Sequence, residues 1–218
     1  MMAISSVVSR ISLRHFAVAL IATFAVLSLI TPATAQFSES YNFLKAVRDR
    51  DGTEANELLD RPGNTVINSR DIKSGETALH ITIARRDLLW TRFMLQKGAN
   101  PNIETREGLT PLMLATNLRF VDGAEALLKR NAAVDKANRS GETPLIRAVQ
   151  LGDLAMVRLL LKNGADPDRV DSLAGQSARD YASNNVRLAP ILSAIEKSDE
   201  DRANQAEKPA VFGPTIRQ

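Results

Sequence analysis

Gly75-Glu76-Thr77-Ala78-Leu79-His80, Gly108-Leu109-Thr110-Pro111-Leu112-Met113 and Gly141-Glu142-Thr143-Pro144-Leu145-Ile146 lie on one another without a gap, and their glycines stand 33 residues apart each time. A fixed period of this size marks stacked units, each burying its apolar face only against its neighbours. Such a stack presents a long surface and has no enclosed catalytic cavity. The reading therefore points to binding without naming what is bound.

Each unit continues in the same way. An apolar-rich helical stretch follows the corner, then a polar break, then a second helix ending Phe93-Met94-Leu95, Ala126-Leu127-Leu128 or Leu159-Leu160-Leu161. The exits are Gly98-Ala99-Asn100-Pro101-Asn102, Asn131-Ala132-Ala133-Val134-Asp135 and Gly164-Ala165-Asp166-Pro167-Asp168. Thr77, Thr110 and Thr143 stand where a hydroxyl caps free helical N–H groups, and Pro111 and Pro144 occupy first-turn sites. Gly98 and Gly164 fall where helices end in a left-handed residue, with Asn131 as the next best choice. Leu79, Leu112 and Leu145 would point inward.

A fainter copy begins at Gly175-Gln176-Ser177-Ala178-Arg179-Asp180, where the threonine has become serine and the core leucine Arg179. More polar terminal units are expected where one face meets water. At the other end, Tyr41 to Val47, Leu58-Leu59 and Thr65 to Asn68 read as a degenerate first unit.

The pattern resembles the ankyrin repeat over about residues 40–197, most specifically over 71–170, because the 33-residue period comes with the Thr-Pro-Leu-His corner. The resemblance implies an all-α solenoid of helix–turn–helix units with β-turn or hairpin connections. About five units are expected, two of them degenerate caps: 36–70, 71–103, 104–136, 137–170 and 171–197. It also implies that the His80 ring bridges backbone groups of neighbouring repeats, while Met113 and Ile146 fill that slot in the next two.

The chain opens with Arg10 and Arg14, an uncharged stretch from Phe16 to Ile30, and Thr31-Pro32-Ala33-Thr34-Ala35. This reads as a secretory signal over 1–35, cleaved after Ala35. As a helix the apolar stretch would span roughly 22 Å, short of the roughly 30 Å hydrocarbon core, which argues against a retained anchor. The expected location is a bacterial periplasm, with secretion or a signal-anchored form as alternatives, and the membrane is met only through the signal segment. A secreted effector acting on a host protein is the alternative function. Beyond 197 the composition turns polar, with prolines at 209 and 214, and reads as a disordered tail over 198–218.

The formal charge is +3, and losing 1–35 removes two arginines and no acid, leaving 26 Lys+Arg against 25 Asp+Glu. Nucleic-acid binding needs a concentrated cationic face, so it is not expected. With no cysteine, thiol nucleophiles, zinc–thiolate sites and disulfides are excluded. The only histidine besides His15 is His80, which the repeat corner already explains. Asp49 with Asp51, and Asp166 with Asp168, lack the glycine and distal glutamate of a calcium loop. No phosphate loop or nucleophile elbow is present. The expectation is a probably monomeric, non-catalytic module with no cofactor and no metal, binding an unidentified protein.

By the resemblance, partners meet the turn tips and the first-helix face. Transferred by position, the tips are Lys73, Ser74 and Glu76; Arg106, Glu107 and Leu109; Arg139, Ser140 and Glu142; and Gln176. The outward helix residues are Ala84 and Arg85, Asn117 and Leu118, Gln150 and Leu151, and Asn184 and Asn185. Leu118 and Leu151 share one repeat position, with Leu109 nearby, and are expected to form an apolar anchor facing solvent, rimmed by Arg106, Arg119, Arg139 and Glu142.

Overall fold

The computed structural model describes residues 32–63 and 65–206, and side-chain surroundings from Glu39 to Asn204 apart from Asn64. Among the described residues there are ten α-helices: α1 (Pro32–Asp49), α2 (Gly52–Leu59), α3 (Ala78–Ala84), α4 (Leu88–Gln96), α5 (Pro111–Asn117), α6 (Val121–Leu128), α7 (Pro144–Gln150), α8 (Leu154–Lys162), α9 (Ala178–Ser183) and α10 (Ala189–Ala206). No named strand is present among them, only an isolated antiparallel bridge between Val170 and Ser177. Odd-numbered helices pack in one layer and even-numbered helices behind them. This is the expected all-helical solenoid.

The local chemistry follows the repeat. Thr110 and Thr143 accept from the N–H groups of Met113 and Ile146 at 3.1 and 3.2 Å, and Pro111 and Pro144 begin their helices. The second helices α2, α4 and α8 are capped by Asp51, Asp87 and Asp153, each accepting from a backbone N–H three residues on. Gly98, Asn131 and Gly164 take φ of 89°, 61° and 86°, the left-handed exits the sequence called for. Leu79, Leu112 and Leu145 are fully buried. Their columns merge with Met94, Leu127 and Leu160 into one continuous core running the length of the stack.

The polar break between paired helices is also left-handed. Arg50, Arg86 and Arg119 have φ of 60°, 54° and 53°, and Gly152 takes the same place with 66°. Non-glycine residues rarely adopt this region. At Arg86 and Arg119 the guanidinium then reaches the following repeat: Arg86 donates to the Arg119 carbonyl at 3.4 Å, and Arg119 to the Leu151 carbonyl at 2.5 Å.

Two boundaries need comment. The tail expected to be disordered from 198 is instead helical to Ala206. Arg179, standing where Leu79, Leu112 and Leu145 stand in earlier repeats, explains this. With no repeat beyond it, its guanidinium spans to Asp168 at 2.7 Å and to Asp199 of α10 at 2.8 Å, while Arg202 also pairs with Asp199. The expected signal segment up to residue 31 and the tail beyond 206 lie outside the described residues, while Ala35 falls within α1. No described helix is long and apolar enough to cross a membrane.

Candidate protein-binding face

The turn tips are built by short side chains that gather backbone N–H groups. The Asp71 carboxylate accepts from Lys73 and Ser74 N–H at 2.8 and 3.1 Å and from Arg48 at 2.7 Å. Those bonds, led by the two backbone donors, hold it down at about 2. Thr105 and Asn138 do the same work in the next two tips, and Asp171 in the last.

Successive tips are joined. Arg106 N–H donates to the Ser74 carbonyl and Ser172 N–H to the Ser140 carbonyl, both at 2.9 Å. Gly75 lies so close beneath the next tip that a Cβ would sit 2.8 Å from the Arg106 nitrogen, and at Gly141 it would sit 2.7 Å from the Ser172 nitrogen. Both glycines also have positive φ, so the tips stack only because no side chain intervenes.

His80 ties the tips to the helices. Its Nδ1 accepts from Thr77 N–H at 3.1 Å and faces the Thr77 hydroxyl at 2.9 Å, which leaves Nε2 to donate to the Leu109 carbonyl at 3.0 Å. The ring bridges two repeats as the resemblance implied. Burial pushes its pKa below the usual imidazole value, so the neutral ring is the stable form. In the C-terminal cap Asp180 takes the same slot and bonds only its own Ser177. That end has no following repeat to reach.

The expected partner-contacting residues divide. Arg106, Arg139, Ala84, Gln150 and Asn184 are exposed. Glu142 is tied to Asn138 at 3.0 Å. Leu109, Leu118 and Leu151 are half-buried helix-cap or tip residues instead of protruding anchors. Leu118 packs against the core, and the Leu109 and Leu151 carbonyls are occupied by His80 and Arg119. Arg85 turns back to donate to the Val47 and Arg48 carbonyls at 2.6 and 2.8 Å, and Arg119 is spent on Leu151. Neither is a free rim charge. Residue position within the repeat gave the face, but not which side chains would be consumed by neighbouring repeats.

Sequence reasoning missed several residues on this surface. Leu114, Arg147 and Tyr181 are half-buried on the first-helix face, with Arg147 donating to Asn117 Oδ1 at 2.8 Å and Tyr181 to Asp171 at 2.7 Å. They recur with Ile81 at the repeat spacing, which was the available signal. Leu173, at the last tip, is 88% exposed.

No cluster of three or more metal-ligating side chains occurs among the described residues. Asp49 pairs with Lys45, Asp51 caps α2 and Asp168 holds Arg179, so these carboxylates have structural partners.

Comparison with known proteins agrees with this architecture. A family model described as ankyrin repeats (3 copies) matches residues 43–138 and 92–171. A putative ankyrin repeat protein of Rickettsia felis is 37% identical over 62 residues, 27% of this chain and 27% of its own length. Oxysterol-binding protein homolog 1 of Saccharomyces cerevisiae is 32% identical over 85 residues, 38% of this chain but 7% of its own length. The chain thus spans well under two thirds of either relative.

Proposed function

The chain belongs to the ankyrin-repeat family, and on that footing we propose that it is an exported module of the bacterial envelope that binds a partner protein along its concave face. Ankyrin repeats are protein–protein interaction modules, and the family is generally non-catalytic. The observation that carries the reading is the joined row of tips beside the first-helix face. Ser74–Arg106 and Ser140–Ser172 backbone bonds lock neighbouring tips together, so a partner meets a pre-organised surface. Acting as a monomer, it would serve as scaffold, inhibitor or stabiliser of that partner. Export rests on the basic, apolar and small-residue pattern of 1–35.

The test uses capture from an envelope fraction by the chain and by an Ala84→Glu/Gln150→Glu/Asn184→Glu variant. These three positions are exposed on the first-helix side, so the variant should stay folded. A protein held by the first and lost from the second supports the concave face. Retention by both would move the interface elsewhere. N-terminal mass analysis of the protein from its native cell tests export, since a terminus at Gln36 is expected and an intact Met1 would refute cleavage.

A further inference from the structure

The tips carry an unbalanced set of free charges. Lys73, Arg106 and Arg139 occupy one repeat position, are exposed, and have no side-chain partner in the fold. The carboxylates around them are largely consumed: Glu76 accepts from Ser74 at 3.0 Å, Glu142 from Asn138 at 3.0 Å, Glu104 pairs with Lys136, and Asp71 and Asp171 hold their own turns. Among the described tip residues, Glu107 is the one carboxylate left without a side-chain partner. The cations therefore dominate the field a partner would meet.

Their spacing is fixed by the backbone. The Arg106 nitrogen is held by the Ser74 carbonyl, and Gly75 and Gly108 pack directly beneath the Arg106 and Arg139 residues of the next tip. Each repeat contributes two extended arms to this row, and hydrogen-bonded extended chains lie about 4.8 Å apart, so equivalent tips stand about 10 Å apart. An extended peptide advances about 3.3 Å per residue, which makes one tip spacing equal to about three residues. The column ends at Ser172, whose N–H makes the corresponding bond to Ser140, and beside it Leu173 and Val170 are 88% and 58% exposed.

We propose that the tip row docks an extended acidic segment of a protein partner, with carboxylates at every third residue opposite Lys73, Arg106 and Arg139 and an apolar residue next in the series against Leu173. This deepens the protein-binding reading and rests on it. The acidic spacing sets specificity and orientation, while the apolar contact supplies an anchor at one end.

The experiment is fluorescence anisotropy on the full chain with two synthetic peptides of identical composition. One carries three aspartates at every third residue and then a leucine at the same interval; the other has its aspartates adjacent. The spaced peptide is expected to bind about tenfold more tightly, with affinity falling as salt rises. A Lys73→Ser/Arg106→Ser/Arg139→Ser variant should remove that preference. Circular dichroism should show it folded, since all three side chains are exposed. Equal affinity for both peptides, no binding of either, or an unaffected variant would overturn the proposal. A partner captured equally by wild type and this variant, yet lost from the Ala84/Gln150/Asn184 variant, would overturn acidic docking and leave protein binding standing.

Discussion

A Cβ on Gly123 would sit 2.4 Å from the Phe120 ring and 2.9 Å from Ile83 Cδ1. Phe120 stands where Asp87 and Asp153 cap the second helices of the flanking repeats, and its ring is buried beneath Arg86. The second repeat has thus exchanged a polar cap for an aromatic plug, and a helical glycine makes the room. Gly→Ala inside a helix ordinarily gains about 1 kcal/mol, whereas overpacking costs about 1–3 kcal/mol. At these distances the clash wins, and Gly123→Ala should lower stability by about 1–2 kcal/mol in denaturant titration. In a Phe120→Ala background the same change should become stabilising. A destabilising effect of equal size in both backgrounds would refute the pairing.

His80 predicts a pH response. Its folded pKa lies below the ordinary value of 6.5, because burial outweighs the Leu109 hydrogen bond and nearby Glu76, while Arg70 pushes the same way as burial. The unfolded chain therefore binds more protons in the window below 6.5, so stability is fully present above that value and declines as pH falls toward the folded pKa. The carboxylates held low, led by Asp71 at about 2, have the same sign but act in more acidic solution. Chemical denaturation between about pH 7 and 5 should show this loss in wild type and a flatter profile in His80→Gln. An unchanged slope would show that another group carries the response.

Arg179 predicts a local effect at the end of the stack. Replacing it by leucine restores the residue type of the inner repeats but severs the links to Asp168 and Asp199. The pairs are partly exposed, so the global cost should be about 1 kcal/mol or less. Hydrogen exchange should nevertheless lose protection in the second half of α10, and the uncovered leucine should promote self-association in sedimentation. Unchanged exchange there would mean that Ile191 and Ile195 alone hold the helix.

These three cases show what the sequence could disclose. The period, caps and core leucines were legible because each obeys a rule stated within one repeat. His80 was legible because its residue type and place occur together in a known corner. Gly123 was not, since its neighbour Phe120 breaks the repeat's own capping rule, and neither residue is unusual alone. The reach of α10 was missed because Asp199 reads as part of an acidic, solvated run until Arg179 is seen across from it. On the candidate face, Arg85 and Arg119 read as free charges. Only packing shows that adjacent repeats use their guanidinium groups to satisfy carbonyls.

Leu118 and Leu151 occupy the same repeat position yet should respond differently to substitution. Leu118 packs on the continuous core, whereas Leu151 is half-buried outside it, next to Gly152 and a carbonyl already satisfied by Arg119. Burying a leucine is worth about 1.5–3 kcal/mol when complete, so Leu118→Ser should cost about 1–2 kcal/mol. Leu151→Ser should stay within about 0.5 kcal/mol, as for surface changes generally. A double substitution would therefore confound unfolding with lost binding, and Leu151→Ser alone is the interpretable probe of the concave surface. If it abolishes partner capture while thermal unfolding is unmoved, Leu151 is an anchor. If it lowers stability as much as Leu118→Ser, its side chain belongs to the packing between the third repeat and the C-terminal cap.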